Sequence, residues 1–201
     1  MSAPIRILKP VVFLLCLIPL GMLIWAIVYN PESFGANPFE VITDRTGDWT
    51  LRFVLFTLAV TPLRILTGWN QVIRFRRMLG LFAFFYSFLH FLTYVWFTQY
   101  FNLAEITKDV VKRPFITVGF VAFILMIPLA LTSTKKWIGR LGGKRWQRLH
   151  LVIYVTGILG VIHYFWRVKS DITDPLIYAV LLSVLFVLRI WNKFRTPAVV
   201  R

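Results

Sequence analysis

Residues 78–101 read MLGLFAFFYSFLHFLTYVWFTQYF, and they contain one histidine, His90, but no Asp, Glu, Lys or Arg. An α-helix rises 1.5 Å per residue, so a helix of this length reaches about 36 Å. The hydrocarbon core of a bilayer is about 30 Å thick. The segment therefore predicts a membrane-spanning helix that carries a histidine within the apolar region.

The whole chain has the same character. Of its 201 residues, 58% are hydrophobic and 17% aromatic, and the mean hydropathy is +0.72. Only 15% are Asp, Glu, Lys or Arg, well below the roughly 25% of a soluble domain. One cysteine, Cys16, excludes a disulfide-rich scaffold. We expect an all-α membrane protein.

Five further stretches are long and apolar enough to cross a bilayer. The chain is therefore predicted to form one domain over residues 1–201, a bundle of six transmembrane helices with no appended nucleotide-binding module. The first apolar run has about 19 residues, which is longer than the core of a signal peptide, so we expect it to be retained. No acidic residue falls within a predicted span. The predicted spans are residues 11–29, 49–63, 78–101, 115–133, 149–166 and 175–191.

The connections between the spans alternate in charge. One set, which includes both termini, carries 16 Lys and Arg residues and no acid, and the other carries 7 cations and all 8 acids. Basic connections stay in the cytoplasm, so both termini are expected there. Topology thus accounts for the net charge of +15, and a nucleic-acid partner is not expected.

Two histidines are predicted to lie at the same depth on parallel helices. His90 follows Arg77 by 13 residues and His163 follows Arg148 by 15, which places them about 20 and 22 Å above the cytoplasmic ends of their spans. Imidazoles so placed could bind a haem iron from opposite sides, or each could form an interhelical hydrogen bond. His150 lies at the cytoplasmic rim, too far away to bind the same iron, which leaves room for a second, inner level.

Several other residues allow two interpretations, one functional and one structural. Gly157 and Gly160 could admit a porphyrin or could allow close helix packing. Arg52 and Arg167 could pair with haem propionates or extend to the interface, and extension is favoured for Arg52. Cys16 is expected to be a small buried residue. A basic cytoplasmic rim, able to attract an acidic flavoprotein, a flavin phosphate or anionic lipid, comprises Arg76, Arg77, Lys144, Arg145 and Arg148.

Two other functions stay open. A metal-ion or small-solute carrier could use the histidines as transient ligands, although transport sites usually add carboxylates or thiolates. A stand-alone metalloreductase could act on an external oxidant without a protein partner. The short outward connections favour docking of a partner over an enclosed substrate pocket.

Several stretches together resemble one family across nearly the whole chain. They are residues 73–80 (IRFRRMLG), the following Phe-rich helix with His90, and residues 112–119 (KRPFITVG), 131–134 (LTST), 141–150 (LGGKRWQRLH) and 162–169 (IHYFWRVK). The sequence resembles the MsrQ (YedZ) family, which comprises haem-binding membrane subunits of bacterial periplasmic protein-methionine-sulfoxide reductase systems. That family belongs to the ferric-reductase-like transmembrane superfamily.

The resemblance implies a haem b protein of the bacterial inner membrane that carries electrons outward. The implied donors are the quinone pool or a cytoplasmic flavin reductase, with FMN as a second cofactor. The implied acceptor is an MsrP-like periplasmic molybdopterin subunit, which itself reduces methionine sulfoxide in oxidised proteins. By position, His90 and His163 match the outer haem ligands and His150 matches an inner-level histidine. Related oxidases have another histidine where Arg76 stands here, so one haem is expected and a second is left open.

Overall fold

The computed structural model describes residues 3–195, and it describes side chains over residues 6–194. Within that range the regular structure is helical, with short 3-10 turns at Pro31–Phe34 and Asn70–Phe75 and a π-helical turn at Tyr94–Thr98. The nine α-helices of this part of the chain are α1 (Ala3–Tyr29), α2 (Pro38–Thr67), α3 (Arg76–Thr93), α4 (Leu103–Lys112), α5 (Pro114–Leu131), α6 (Lys135–Leu141), α7 (Gly143–His150), α8 (Val152–Arg167) and α9 (Thr173–Arg195).

Six segments of residues 3–195 are long and apolar enough to span a membrane, as the sequence predicted. They are Arg6–Tyr29, Pro38–Thr67, Asn70–Thr98, Pro114–Leu131, Gly143–Arg167 and Thr173–Phe194. Six crossings put the start of α1 and the end of α9 at one end of the bundle, which we call the terminal end. The opposite end, with connections 30–37, 99–113 and 168–172, is called the distal end.

Helix α2 is twice as long as the predicted second span, which covered residues 49–63. It begins at Pro38, where the Asn37 side chain accepts a hydrogen bond from the Glu40 amide (3.4 Å). It ends at Thr67, and the following Gly68 has a positive φ of 68°, which suits a helix C-terminus. Hydropathy missed the first eleven residues because their three acids and one arginine lower the local average.

The expectation that no acidic residue lies within a span is therefore wrong. Glu40, Asp44 and Asp48 all belong to α2 and to the apolar segment Pro38–Thr67. They lie in its distal third, where charged side chains can pair with one another and reach the interface.

Helix α4 was not predicted, and a partly buried aspartate connects it to its neighbours. The Asp109 carboxylate accepts hydrogen bonds from Gln99 Nε2 (2.5 Å) and from the Tyr94 hydroxyl (3.3 Å), and it pairs with Arg113 Nε (3.2 Å). Asp109 thus joins the end of α3, its own helix and the start of α5. This pairing fixes the connection at the distal end.

A tyrosine hydroxyl is inserted into the backbone hydrogen bonds of α1 beside Pro19. The Leu20 amide donates to the Tyr86 hydroxyl (3.1 Å), which in turn donates to the Cys16 carbonyl (2.9 Å). In a regular helix this amide and this carbonyl would bond directly. Tyr86 is 1% exposed, so α1 is joined to α3 by a buried polar contact.

An arginine of α9 compensates for a proline inside α2. Pro62 has no amide hydrogen, so it cannot donate to the Leu58 carbonyl four residues earlier. Arg189 Nη2 donates to that carbonyl instead (2.5 Å), and Arg189 also contacts the Tyr154 hydroxyl. Arg189 is thus a structural residue as well as a basic residue of the terminal end.

The core brings two helix pairs together. Helix α2 packs along α3, and α5 packs along α8. Leu58 of α2 and Ala83 of α3 have no exposed surface. His90 lies on α3 and His163 on α8, so the contact between the two pairs determines how the histidines face each other.

Candidate functional site

His90 and His163 face each other across a gap between α3 and α8. Their ring centroids are 6.0 Å apart, and their planes are inclined by 78°. Both side chains line one cavity near the distal half of the bundle. The sequence predicted a common level for these two residues, and the structure brings them together at one.

Each of these histidines is oriented by a backbone carbonyl. His90 Nδ1 lies 2.8 Å from the Thr43 carbonyl oxygen of α2, and His163 Nδ1 lies 2.7 Å from the Phe115 carbonyl oxygen of α5. A carbonyl oxygen only accepts, so in both rings Nδ1 carries the hydrogen and donates it. In the neutral ring Nε2 then keeps its lone pair, which is the arrangement of metal-binding histidines.

The cavity between them has a volume of about 640 Å³, within the range of cofactor sites. Its inner part is apolar, and its distal mouth is polar. The apolar walls include Leu51, Val54, Phe91, Ile116, Phe120, Ala122, Phe123 and Met126. A flat apolar ligand of cofactor size would meet mostly hydrocarbon and aromatic surface here.

Charged side chains pair across the cavity mouth. Arg167 of α8 binds two carboxylates of α2, with Nη2 2.6 Å from Asp44 and 3.0 Å from Glu40. Asp48, the third acid of α2, lies within hydrogen-bonding reach of Tyr164. Arg167 therefore lies at the cavity mouth, where a haem propionate could reach it, but in this structure its guanidinium binds acidic side chains.

Arg52 lies away from this cavity. Its Nε donates to the Tyr178 hydroxyl (2.8 Å), its guanidinium stacks on Trp49 at 4.7 Å, and Nη2 is 3.9 Å from Asp48. It borders a separate apolar groove between α2 and α9. The geometry thus agrees with an arginine extended toward the interface.

His150 is separate from the other two histidines. It ends α7, its ring stacks on Trp146 with centroids 4.0 Å apart, and its Nδ1 lies 3.0 Å from the Trp146 carbonyl. Nε2 is buried without a hydrogen bond of normal geometry, although the Leu129 carbonyl lies near it. The site therefore divides into a distal pair and a single histidine near the terminal end.

The glycines expected to face a ligand have different roles. A methyl group on Gly157 would lie 3.3 Å from Leu182 of α9, and one on Gly160 would lie 3.3 Å from Leu51 of α2. Helix packing therefore explains Gly157, whereas Gly160 both packs and lines the cavity. The glycines behind the histidine rings are Gly47 and Gly119, which the sequence analysis missed.

Some signals for these missed residues were present in the sequence. Gly47 falls near the depth predicted for His90 once α2 is extended to Pro38. Gly119 is the last residue of the stretch 112–119 (KRPFITVG), which resembles the MsrQ family. The pairing of Arg167 with Asp44 had no local signal, because the two residues are 123 positions apart.

The basic rim does lie at the terminal end of the bundle. Arg76 is half-buried, and the exposed members are Arg77, Lys144, Arg145 and Arg148.

Comparison with known proteins identifies the family. Residues 46–161 match the family model for the ferric reductase like transmembrane component. A protein of Herminiimonas arsenicoxydans, named protein-methionine-sulfoxide reductase heme-binding subunit MsrQ, is 52% identical over 194 residues, which cover 94% of this chain and 88% of that protein. The chain belongs to the MsrQ family. It is a multi-pass membrane protein of the ferric-reductase-like class.

Further MsrQ relatives cover the chain to a similar extent. The protein of that name from Ralstonia nicotianae is 51% identical, over 95% of this chain and 88% of its own length. The MsrQ of Polaromonas naphthalenivorans is 48% identical, over 92% and 85%. These matches extend beyond the ferric-reductase-like segment, which contains His90 and His150 and ends two residues before His163.

Proposed function

We propose that this MsrQ family member is a transmembrane electron-transfer subunit that holds one haem b between His90 and His163. The facing imidazoles carry the proposal. Metal–imidazole bonds are about 2 Å long, so His90 and His163 would hold one metal between them through Nε2 with ring centroids roughly 6 Å apart. The observed 6.0 Å fits that requirement.

The surroundings of the two rings also fit a haem. Both Nε2 atoms are free to act as ligands because both Nδ1 atoms donate to carbonyls. The cavity of about 640 Å³ has apolar walls, and its polar mouth includes Arg113 and Arg167. Both cations bind acidic side chains in this structure, so they would exchange those partners for the carboxylates of a haem that enters from the distal end.

When bound, haem would supply reversible one-electron chemistry within the apolar region. The chain would hold the iron from both sides, orient the two ligands through main-chain carbonyls and keep water away with the apolar walls. The sulfoxide is not expected to be reduced here. An MsrP-like periplasmic molybdopterin subunit, docked at the distal end, would reduce the sulfoxide.

The direction of transfer follows from the proposed topology. The basic terminal end would face the cytoplasm and the distal end the periplasm of a bacterial inner membrane. Electrons would come from the quinone pool or from a cytoplasmic flavin reductase, and an FMN would bind at the basic rim. His150 is the residue we propose for any second, inner haem. The chain is proposed to act as one domain.

A visible spectrum with histidine variants tests the proposal. Purified protein is expected to give a reduced-minus-oxidised haem b spectrum, and His90→Ala and His163→Ala should each lose most of it because one axial bond is removed. Added imidazole should restore part of the six-coordinate spectrum in those variants. His150→Ala is the matched control and should keep the haem of the distal pair.

Quantification of haem and flavin per chain accompanies the spectra. One haem per chain is expected for a site at His90 and His163 alone, and a second that disappears in His150→Ala would extend the assignment. Protein without haem, or a spectrum unchanged in both distal variants, contradicts the proposal. Solute flux into liposomes by haem-free protein would favour the carrier instead.

A further inference from the structure

Two glycines lie directly behind the histidine rings. A methyl group on Gly47 of α2 would be 3.0 Å from His90 Cε1 and 3.1 Å from its Nδ1. A methyl group on Gly119 of α5 would be 2.6 Å from His163 Nδ1 and 2.8 Å from its Cε1. An ordinary carbon contact is about 3.5–4.0 Å, so neither position accepts a side chain while its ring stays in place.

The same spacing occurs on both helices. Thr43, whose carbonyl binds His90, precedes Gly47 by four residues, and Phe115, whose carbonyl binds His163, precedes Gly119 by four residues. A helix carbonyl points along the axis toward the residue four positions later. A side chain from another helix that reaches this oxygen must therefore pass over that later residue, where a Cβ would stand.

We propose that Gly47 and Gly119 are positioning residues that fix the rotation of the two imidazole rings about their iron bonds. The inference rests on the haem site of the proposed function and adds what sets its ligand geometry. Each ring is confined by a glycine surface beside it and by a carbonyl at Nδ1. Together the glycine surface and the carbonyl hydrogen bond hold the two ring planes nearly perpendicular, at 78°.

Ring rotation has a direct electronic readout. The imidazole π orbitals interact with different iron d orbitals according to the orientation of each plane, and the relative orientation sets how unevenly those d orbitals are split. Nearly perpendicular planes give a ferric low-spin signal of large g anisotropy in electron paramagnetic resonance (EPR). Nearly parallel planes give a rhombic signal with a smaller maximum g value.

The two positions should respond to different degrees. An added methyl at position 47 needs a shift of a few tenths of an ångström, whereas the contacts at position 119 are shorter. We expect Gly47→Ala to rotate the His90 ring while it keeps haem. Gly119→Ala should displace the His163 ring further, with a larger fall in the maximum g value or partial loss of haem.

Two other glycines provide matched controls. A methyl on Gly157 of α8, the helix of His163, would lie outside the cavity lining and would meet the end of the Leu182 side chain at 3.3 Å. A methyl on Gly80 of α3, the helix of His90, would meet Thr57 Cγ2 at an ordinary 3.6 Å. Gly157→Ala and Gly80→Ala carry the same backbone change without touching a histidine or the cavity, so they should keep the wild-type EPR spectrum.

The experiment compares ferric EPR spectra, haem content and midpoint potentials of the five full-length proteins in detergent. A highly anisotropic wild-type signal that shifts only in Gly47→Ala and Gly119→Ala supports the proposal, as does selective haem loss from these two folded variants. Identical spectra and haem content in all five proteins overturn it, and so does a rhombic wild-type signal, even if no variant can be purified. Absence of haem from the wild type would instead contradict the proposed function.

Discussion

At the scale of single residues, main-chain atoms control the candidate ligands. The Thr43 and Phe115 carbonyls determine the tautomer of His90 and His163, and neither contact depends on the side chain of the acceptor residue. Sequence reasoning could place both histidines at one depth, because depth follows from helix rise and span limits. It could not find their hydrogen-bond partners, because each contact joins residues more than 45 positions apart.

Tyr86 provides a test of a single buried hydroxyl. Tyr86→Phe removes the group that accepts from Leu20 and donates to Cys16. We expect the free energy of unfolding in detergent to fall by about 1–2 kcal/mol, as for other buried hydrogen bonds. Thermal denaturation followed by circular dichroism measures this change.

The control for that variant is Tyr29→Phe, because Tyr29 is 74% exposed. It removes the same oxygen from the surface of α1 and should leave the melting temperature unchanged. Equal stability of Tyr86→Phe and the wild type would mean that the Leu20 amide and the Cys16 carbonyl bond directly once the hydroxyl is gone. The inserted hydroxyl would then contribute no stability.

At the scale of elements, α2 shows what hydropathy predicts and what it omits. Its apolar half was found, because Trp49–Leu63 is long and largely uncharged. Its polar half was not, because Glu40, Asp44 and Asp48 lower the local hydropathy. Arg167 and Arg52 lie beside these acids in the folded protein. A window of local sequence cannot register partners from distant helices.

The proline in α2 permits a test by compensation. Arg189→Met removes the donor to the Leu58 carbonyl, and Pro62 offers no amide to replace it. We expect unfolding to become easier by about 1–3 kcal/mol, the usual cost of a buried unpaired polar group. In the double variant with Pro62→Ala, the new amide can bond to Leu58, so much of the loss should be recovered.

Denaturation of the wild type, both single variants and the double variant gives the coupling energy between the two sites. The matched control pairs Arg189→Met with Pro128→Ala in α5, a helix-interior proline outside this contact. If both proline replacements rescue Arg189→Met equally, the benefit comes from general helix stiffening. The interpretation that the Arg189 guanidinium replaces the amide missing at Pro62 would then be wrong.

At the scale of the whole molecule, six crossings place the start of α1 and the end of α9 at one end, but only the charge pattern assigns that end to the cytoplasm. Cysteine labelling in intact cells can test the assignment. Thr107 on α4 and Lys136 on α6 are exposed at opposite ends of the bundle. Cys16 is buried, at 5% exposure, and should give little background.

With a membrane-impermeant maleimide applied to cells with a permeable outer membrane, Thr107→Cys is expected to react and Lys136→Cys to react only after lysis. The wild type, with Cys16 alone, is the background control. The reverse pattern would place the terminal end in the periplasm. That result would overturn the proposed outward direction of electron transfer without affecting the histidine geometry.

The main-chain origin of the two imidazole contacts has a consequence for how such a protein can vary. Substitutions at positions 43 and 115 change the side chain but not the carbonyl, so any residue that keeps the helix should still orient its histidine. The tolerance ends one turn later, at Gly47 and Gly119, where even one added carbon would meet the ring. Random mutagenesis should therefore find the acceptor positions more permissive than the two glycines, with Gly119 the least permissive, although none of the four would bond to iron.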